Sequence, residues 1–139
     1  HTAAHTRWSL PVTKVPDDLL FTADHEYVKA TSDPQVVAVG ITDFAQGELG
    51  DIVYLDLPKQ GAKFDAHGTF GTIEAVKAVS EMYAPLAGEV VAVNPRLDKE
   101  PAIVNSDPYG DGWMIKVKVG GDWKAGLMDA AAYRKHIGQ

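Results

Sequence analysis

One lysine lies in a run of small and apolar residues that is otherwise typical of β-sheet. Lys77 occupies the middle of GTIEAVKAVSEMYAPLAG, residues 71–88, with Glu74 three positions before it and Glu81 four positions after it. The strand-forming residues on both sides predict a hairpin with Lys77 near its tip, although the turn lacks the Asn-Gly or Asp-Gly pair of the commonest hairpins. An isolated lysine in such a place is most often a solvated charge, and that interpretation is the alternative to any chemical role.

The chemistry that suits a lysine at a bend is attachment rather than catalysis. Catalytic lysines depend on burial to lower their pKa. A lysine at a hairpin tip projects into solvent instead and can enter the cleft of another protein. Such a lysine is well suited to carrying an attached group.

Other catalytic patterns are weak or missing in the sequence. There is no cysteine and no Gly-x-Ser-x-Gly motif, and the glycines of residues 68–71 lack the Gly-Lys-Ser/Thr ending of a phosphate-binding loop. No pair of histidines has metal-ligand spacing on a convincing helix, so we expect no metal site and assign the histidines to the surface or to strand ends. The five histidines are His1, His5, His25, His67 and His136.

The length and the net charge limit the classes of protein to which this chain can belong. The chain has 139 residues, which fits one domain. Its 13 basic and 19 acidic residues give a net charge of -6, so we expect neither a nucleic-acid partner nor binding to an anionic membrane. Residues 1–15 lack a starting Met, and we expect them to be an N-terminal extension, either a remnant of the expression vector or the stump of a processed transit peptide. They would precede a single domain, residues 16–139.

The elements that must position Lys77 are mostly short strands. Alternating apolar residues predict strands over residues 25–30, 35–41, 50–58, 88–95 and 113–119. Within 50–58 the alternation places Val53, Leu55 and Leu57 on one face. In the last strand it places Trp113 on the same face as Ile115, Val117 and Val119, and Met114 on the opposite face with Lys116 and Lys118.

Two helices interrupt this pattern. Thr42 predicts the N-cap of a helix of about two turns, in which Phe44 and Leu49 share a buried face. Asp129 predicts the N-cap of a C-terminal helix that ends near Gly138. The sequence therefore predicts a mainly β sandwich or small barrel with a short internal helix and a C-terminal helix.

From about Leu20 to its end the chain resembles the H-protein family of the glycine cleavage system, which are lipoyl carriers. The resemblance rests on FTADHEYVK, VGITDFAQGELGDIVYLDLP, GTIEAVKAVSEMYAPLAGEV, NSDPYGDGWMIKVKV and LMDAAAYRKHI, in the expected order and spacing. It implies a lipoyl/biotinyl-type barrel-sandwich hybrid and places the covalently lipoylated lysine of the family on Lys77.

The resemblance also implies a cofactor and partners. Lipoate would be attached as N6-lipoyllysine, and the chain would be a non-catalytic carrier, with the chemistry supplied by the cofactor. It would visit the glycine decarboxylase (P protein), the aminomethyltransferase (T protein) and the dihydrolipoyl dehydrogenase (L protein), after modification by lipoylating enzymes. The expected compartment is the cytoplasm in a bacterium or the mitochondrial matrix in a eukaryote, without secretion.

Three acidic positions acquire roles from the same resemblance. Glu74 occupies a position associated with recognition by lipoylating enzymes. Glu26 and Glu81 match positions that would shelter the cationic aminomethyl group when the loaded arm folds back into a groove that excludes water. The alternative for each is a solvated charge.

Related carriers of other kinds remain as alternatives. A biotin carrier normally has methionines beside its lysine, where this chain has Val76 and Ala78. A lipoyl domain of a 2-oxoacid dehydrogenase would usually show Asp-Lys-Ala and lack the terminal helix. An H-like module that relays lipoyl groups to other complexes, or binds them, is not separated from the glycine-cleavage carrier by sequence.

Overall fold

The computed structural model describes residues 13–139, so residues 1–12 of the predicted extension lie outside the described residues. We label the helices α1 (Asp43–Leu49), α2 (Arg96–Lys99), α3 (Ile103–Ser106) and α4 (Ala130–His136). We label the strands β1 (Leu20–Phe21), β2 (Glu26–Ala30), β3 (Val36–Ile41), β4 (Ile52–Asp56), β5 (Lys63–Phe64), β6 (Thr69–Ala75), β7 (Val79–Tyr83), β8 (Gly88–Val93) and β9 (Ile115–Lys118).

The strands form two antiparallel sheets. Six strands pair in the order β1-β2-β3-β9-β8-β5, and three pair in the order β4-β6-β7. Buried side chains from both sheets join one core cluster, including Val39 and Val90 from the larger sheet and Ile73 and Met82 from the smaller. The predicted barrel-sandwich hybrid, mainly β with a short internal and a C-terminal helix, is therefore confirmed.

Both predicted helix starts are confirmed. The Thr42 side chain accepts a hydrogen bond from the Ala45 N–H, and the Asp129 side chain accepts one from the Ala132 N–H, so each satisfies a backbone donor that the helix leaves free. The buried face predicted for α1 is wrong, because Phe44 and Leu49 are only half-buried and no residue of this helix is fully buried.

The predicted apolar face of β4 is also wrong at its first member. Val53 is 55% exposed, whereas Ile52 and Leu55 are buried. The register against β6 shifts between Ile52 and Tyr54, so this irregularity breaks the strict alternation that the prediction assumed. The bulge turns both Val53 and Tyr54 outward.

The alternation predicted for residues 113–119 holds from Ile115 to Val119 and fails at Trp113 and Met114. Ile115 and Val117 are buried, as predicted, but Met114 is fully buried instead of facing outward. Met114 precedes the strand proper, where its N–H donates to the Val39 carbonyl, so strand alternation does not govern it. Trp113 is half-buried and lies beneath the Lys116 ammonium, 4.8 Å from it.

A second, smaller core cluster joins the C-terminal helix to the edge of the large sheet. Phe21 and Tyr133 stack with ring centroids 4.6 Å apart, and both are fully buried. Val15 packs in the same cluster. Within residues 13–139, no helix combines the length and apolar character of a membrane span.

Candidate functional site

Lys77 is exposed at the bend between β6 and β7, as the sequence predicts. Glu74 and Val79 form the last cross-strand pair before the bend, and the Ala75 N–H donates to the Ala78 carbonyl across 2.8 Å. The Val76 N–H donates to the Asp51 carbonyl at 3.0 Å, which ties the tip to the residue before β4. The bend is therefore fixed by backbone bonds while the lysine side chain stays accessible.

The Lys77 side chain runs over Gly50, at the end of α1. A Cβ added to Gly50 would lie 3.3 Å from Lys77 Cε and 3.8 Å from Nζ. Asn105 holds this segment from the other side, because its amide donates to the Gly50 carbonyl and to Gln46 Oε1 and its oxygen accepts from the Ile52 N–H. The lysine thus passes a backbone that helix α3 fixes in place.

We expect Gly50→Ala to destabilise the fold by about 1–3 kcal/mol, because φ 79° and ψ −158° lie in a region essentially restricted to glycine. The matched control is Gly47→Ala in the same helix, where an added Cβ meets nothing within 4 Å. That control should stabilise the protein by up to about 1 kcal/mol. Urea unfolding measures both. Equal stability of the two variants would contradict the assigned role of Gly50.

A groove of about 220 Å3 lies between the start of β2, helix α1 and the hairpin strands β6 and β7. This volume is below the roughly 300–1,000 Å3 of pockets for drug-sized ligands, so it suits a slender chain or a small group. Its apolar lining includes Ile41, Phe44, Leu49, Ile73 and Met82. Leu49 adjoins Gly50, so the groove begins close to where the Lys77 side chain passes.

The groove is strongly acidic. It brings Glu26 and Glu81 together, as the resemblance implies, and adds Asp24 and Glu48. Lysine and arginine are missing from the described residues that line it. Four acidic side chains beside an apolar lining favour a ligand with a short apolar stem and a cationic end.

Glu26 is the buried member of this set, with 2% of its surface exposed. The Thr22 hydroxyl donates to its Oε1 at 2.9 Å, and the Tyr83 N–H donates to its Oε2 at 3.3 Å. Burial raises the pKa of Glu26 to about 8, although these two hydrogen bonds oppose the shift. At neutral pH Glu26 is therefore largely protonated.

This shift predicts a pH-dependent stability. Between about pH 4.5 and about pH 8 the folded state holds a proton on Glu26 that the unfolded state has released, so this group makes the free energy of unfolding fall as pH rises, by up to about 1.4 kcal/mol per pH unit. Above pH 8 its contribution levels off. Glu26→Gln should remove that component, whereas Glu89→Gln, at an exposed position on β8, should retain it. Urea unfolding from pH 4 to pH 9 tests this, and parallel curves for the two variants would contradict it.

The other two predicted acids are exposed. Glu81 lies on the edge strand β7 at the rim of the groove and accepts a hydrogen bond from the Tyr83 hydroxyl at 3.3 Å. Glu74 is not among the groove residues. It lies across from Tyr54 on β4 and Val79 on β7, on the outer face of the small sheet.

The sequence prediction missed three groove residues, Asp24, His25 and Glu48. His25 lies at a strand end, as expected, but has a positive φ of 69°, and its Nδ1 lies 2.8 Å from the Tyr133 hydroxyl. Burial lowers the pKa of His25, and the nearby His136 lowers it further. Glu48 could have been predicted to lie near Phe44, because it follows Phe44 by four positions and so shares its helix face.

Comparisons with known proteins agree along most of the chain. A family model described as "Glycine cleavage H-protein" matches residues 19–139. Glycine cleavage system H proteins from Chlorobium limicola and Marinobacter nauticus are 52% and 46% identical, over 90% and 91% of this chain and 98% and 97% of theirs. A crystal structure of a glycine cleavage system H protein from Mycobacterium marinum superposes with a TM-score of 0.80 at 36% identity, covering 90% of this chain and all of that one.

Proposed function

The chain belongs to the glycine cleavage H-protein family, and from this premise we propose that it is the lipoyl carrier of the glycine cleavage system, with lipoate joined to Lys77. The observation that carries the proposal is an exposed lysine at a backbone-fixed bend beside an acidic groove. The attached group would supply a dithiol that carries a glycine-derived aminomethyl group and electrons. The chain itself presents the attached arm, shelters the cargo and docks with the partner enzymes. It is a carrier and not an enzyme.

The groove supports sheltering of the cargo. An amine is cationic at neutral pH, and Glu26 and Glu81 both line the same groove. When a cation lies beside Glu26, the attraction favours its ionised form and lowers its pKa from about 8. Entry of the cargo is thereby coupled to release of a proton from Glu26, and the apolar lining excludes the water that would hydrolyse the cargo.

Membership of the system implies partner enzymes. We propose the decarboxylase, the aminomethyltransferase and the dihydrolipoyl dehydrogenase as successive hosts of the arm, and a lipoylating enzyme as an earlier one. Glu74 is assigned to recognition by that earlier enzyme, because it is exposed three residues before Lys77 and lies outside the groove.

Reconstitution tests the function. The lipoylated chain should allow purified glycine decarboxylase to exchange the carboxyl carbon of glycine with labelled bicarbonate, and the unmodified chain should not. A lipoylated chain that fails to support exchange would favour the alternative of a lipoyl relay for other complexes.

A further inference from the structure

Exposed large apolar side chains gather around Lys77. Among residues 13–139 they are Val76 at 72%, Val79 at 66%, Val53 at 55% and Tyr54 at 49% exposure. All four lie on the small sheet or its hairpin tip. Isolated exposed apolar residues are ordinary, but their concentration on one face marks an interaction surface.

The sheet register makes these residues one surface. Tyr54 lies directly across from Glu74, which lies directly across from Val79, and directly opposed residues of antiparallel strands share a face. Val76 adjoins Lys77 at the tip. We call Tyr54, Glu74, Val76 and Val79 the tip face. It has an apolar surround and one central carboxylate, which suits a partner with an apolar rim and a basic residue opposite Glu74.

We propose that the tip face is the docking surface for the enzyme that acylates Lys77, with Val76 and Val79 as its apolar contacts. This inference rests on the proposed attachment at Lys77 and extends it beyond Glu74.

The short reach of the Lys77 side chain identifies the enzyme that binds the tip face. In the acylation step the Lys77 nitrogen attacks an activated carboxyl carbon, the C–N amide bond forms, the activating group leaves and the amine releases a proton. The amine stands on a stem of only four carbons. The reacting carbon must therefore come close to the hairpin tip, and the surface around that active site must cover Val76 and Val79.

Enzymes that act later meet a different geometry. After acylation the reactive end lies at the far end of the added acyl chain, away from the hairpin tip. An enzyme that acts on that distant end can receive it without covering Val76 or Val79. The apolar contacts are therefore required by the acylating enzyme and not by the enzyme that reoxidises the dithiol.

The test uses a purified lipoate–protein ligase with saturating lipoate and ATP, and the full chain as acceptor. The variant Val76→Thr with Val79→Thr keeps the side-chain shape and the strand preference while making the surface polar. We expect its KM as acceptor to rise about tenfold, with little change in kcat, because only partial burial of two valines is lost. Val53→Thr is the matched control, because it makes the same change at another exposed valine outside the tip face, and it should retain the wild-type KM.

A second assay distinguishes the acylating enzyme from the enzyme that reoxidises the dithiol as the partner of the tip face. Each variant, fully lipoylated by long incubation, should be reoxidised by dihydrolipoyl dehydrogenase at the wild-type rate. An unchanged KM for the double threonine variant in the ligase assay would overturn the inference while leaving the attachment at Lys77 intact. An equal loss in both assays would overturn the assignment to the acylating enzyme alone. Absence of acylation in the wild-type chain would overturn the proposed function and this inference together.

Discussion

Replacing Lys77 with arginine is expected to abolish lipoylation completely. Arginine keeps the positive charge and the exposed position at the bend, but its guanidinium remains protonated and does not form the amide. Intact mass after incubation with ligase, lipoate and ATP should show no added lipoyl group on Lys77→Arg. The same variant should fail to support glycine–bicarbonate exchange by the decarboxylase.

The control for this experiment is Lys63→Arg. Lys63 is exposed on the short edge strand β5 and pairs with Glu89, away from the hairpin tip. This variant should gain one lipoyl group and support exchange like the wild type. Lipoyl mass on the Lys77→Arg chain would show that another amine is the acceptor and would refute the assignment.

The second large effect is expected in the lifetime of the cargo. Glu26→Gln together with Glu81→Gln keeps side-chain size but removes both charges that we propose face the aminomethyl amine. At position 26 the amide oxygen can accept only one of the two hydrogen bonds that the Thr22 hydroxyl and the Tyr83 N–H donate to Glu26. Hydrogen bonds to charged groups contribute about 1.5–3 kcal/mol each. Because Glu81 is exposed and its charge is screened by solvent, the loss corresponds to about one such interaction. The rate at which the loaded carrier loses its aminomethyl group to water should therefore rise by about ten- to a hundredfold.

Release of formaldehyde from the isolated loaded carrier measures this rate. The matched control is Glu89→Gln, which removes an exposed carboxylate on β8 outside the groove. It should leave the rate unchanged. A double variant that loses its cargo no faster than this control would show that the two groove acids do not shelter it.

The display of Lys77 was predictable because it depends on local sequence. Strand-forming residues flank the lysine closely on both sides, so the local pattern indicates a hairpin. The starts of α1 and α4 were predictable for the same reason, since Thr42 and Asp129 each bond a backbone N–H three residues on.

The groove was not predictable from local patterns. Its walls come from the turn before β2, from α1 and from β6–β7, and only the pairing of strands brings these segments together. Glu26 and Glu81 could be named from the resemblance, but nothing in the sequence shows that one is buried and the other exposed. The positive φ of His25, which sets the turn into Glu26, carries no sequence signal either.

The irregular backbone explains the remaining differences between the sequence predictions and the structure. The bulge in β4 exposes Val53 and Tyr54, which strict alternation would treat as opposite in orientation. The approach of the Lys77 side chain to Gly50 joins positions that are 27 residues apart in the chain. Such contacts are fixed by tertiary packing, and they are also what shapes the surroundings of the attachment lysine.

The most direct test of the account is peptide mapping of the wild-type chain after lipoylation, combined with its intact mass. We expect one lipoyl amide per chain, found on the peptide that contains Lys77, with every other lysine unmodified. A lipoyl group located on a different lysine, or a chain that gains no mass in the presence of an active ligase, would contradict the claim that this hairpin exists to present Lys77.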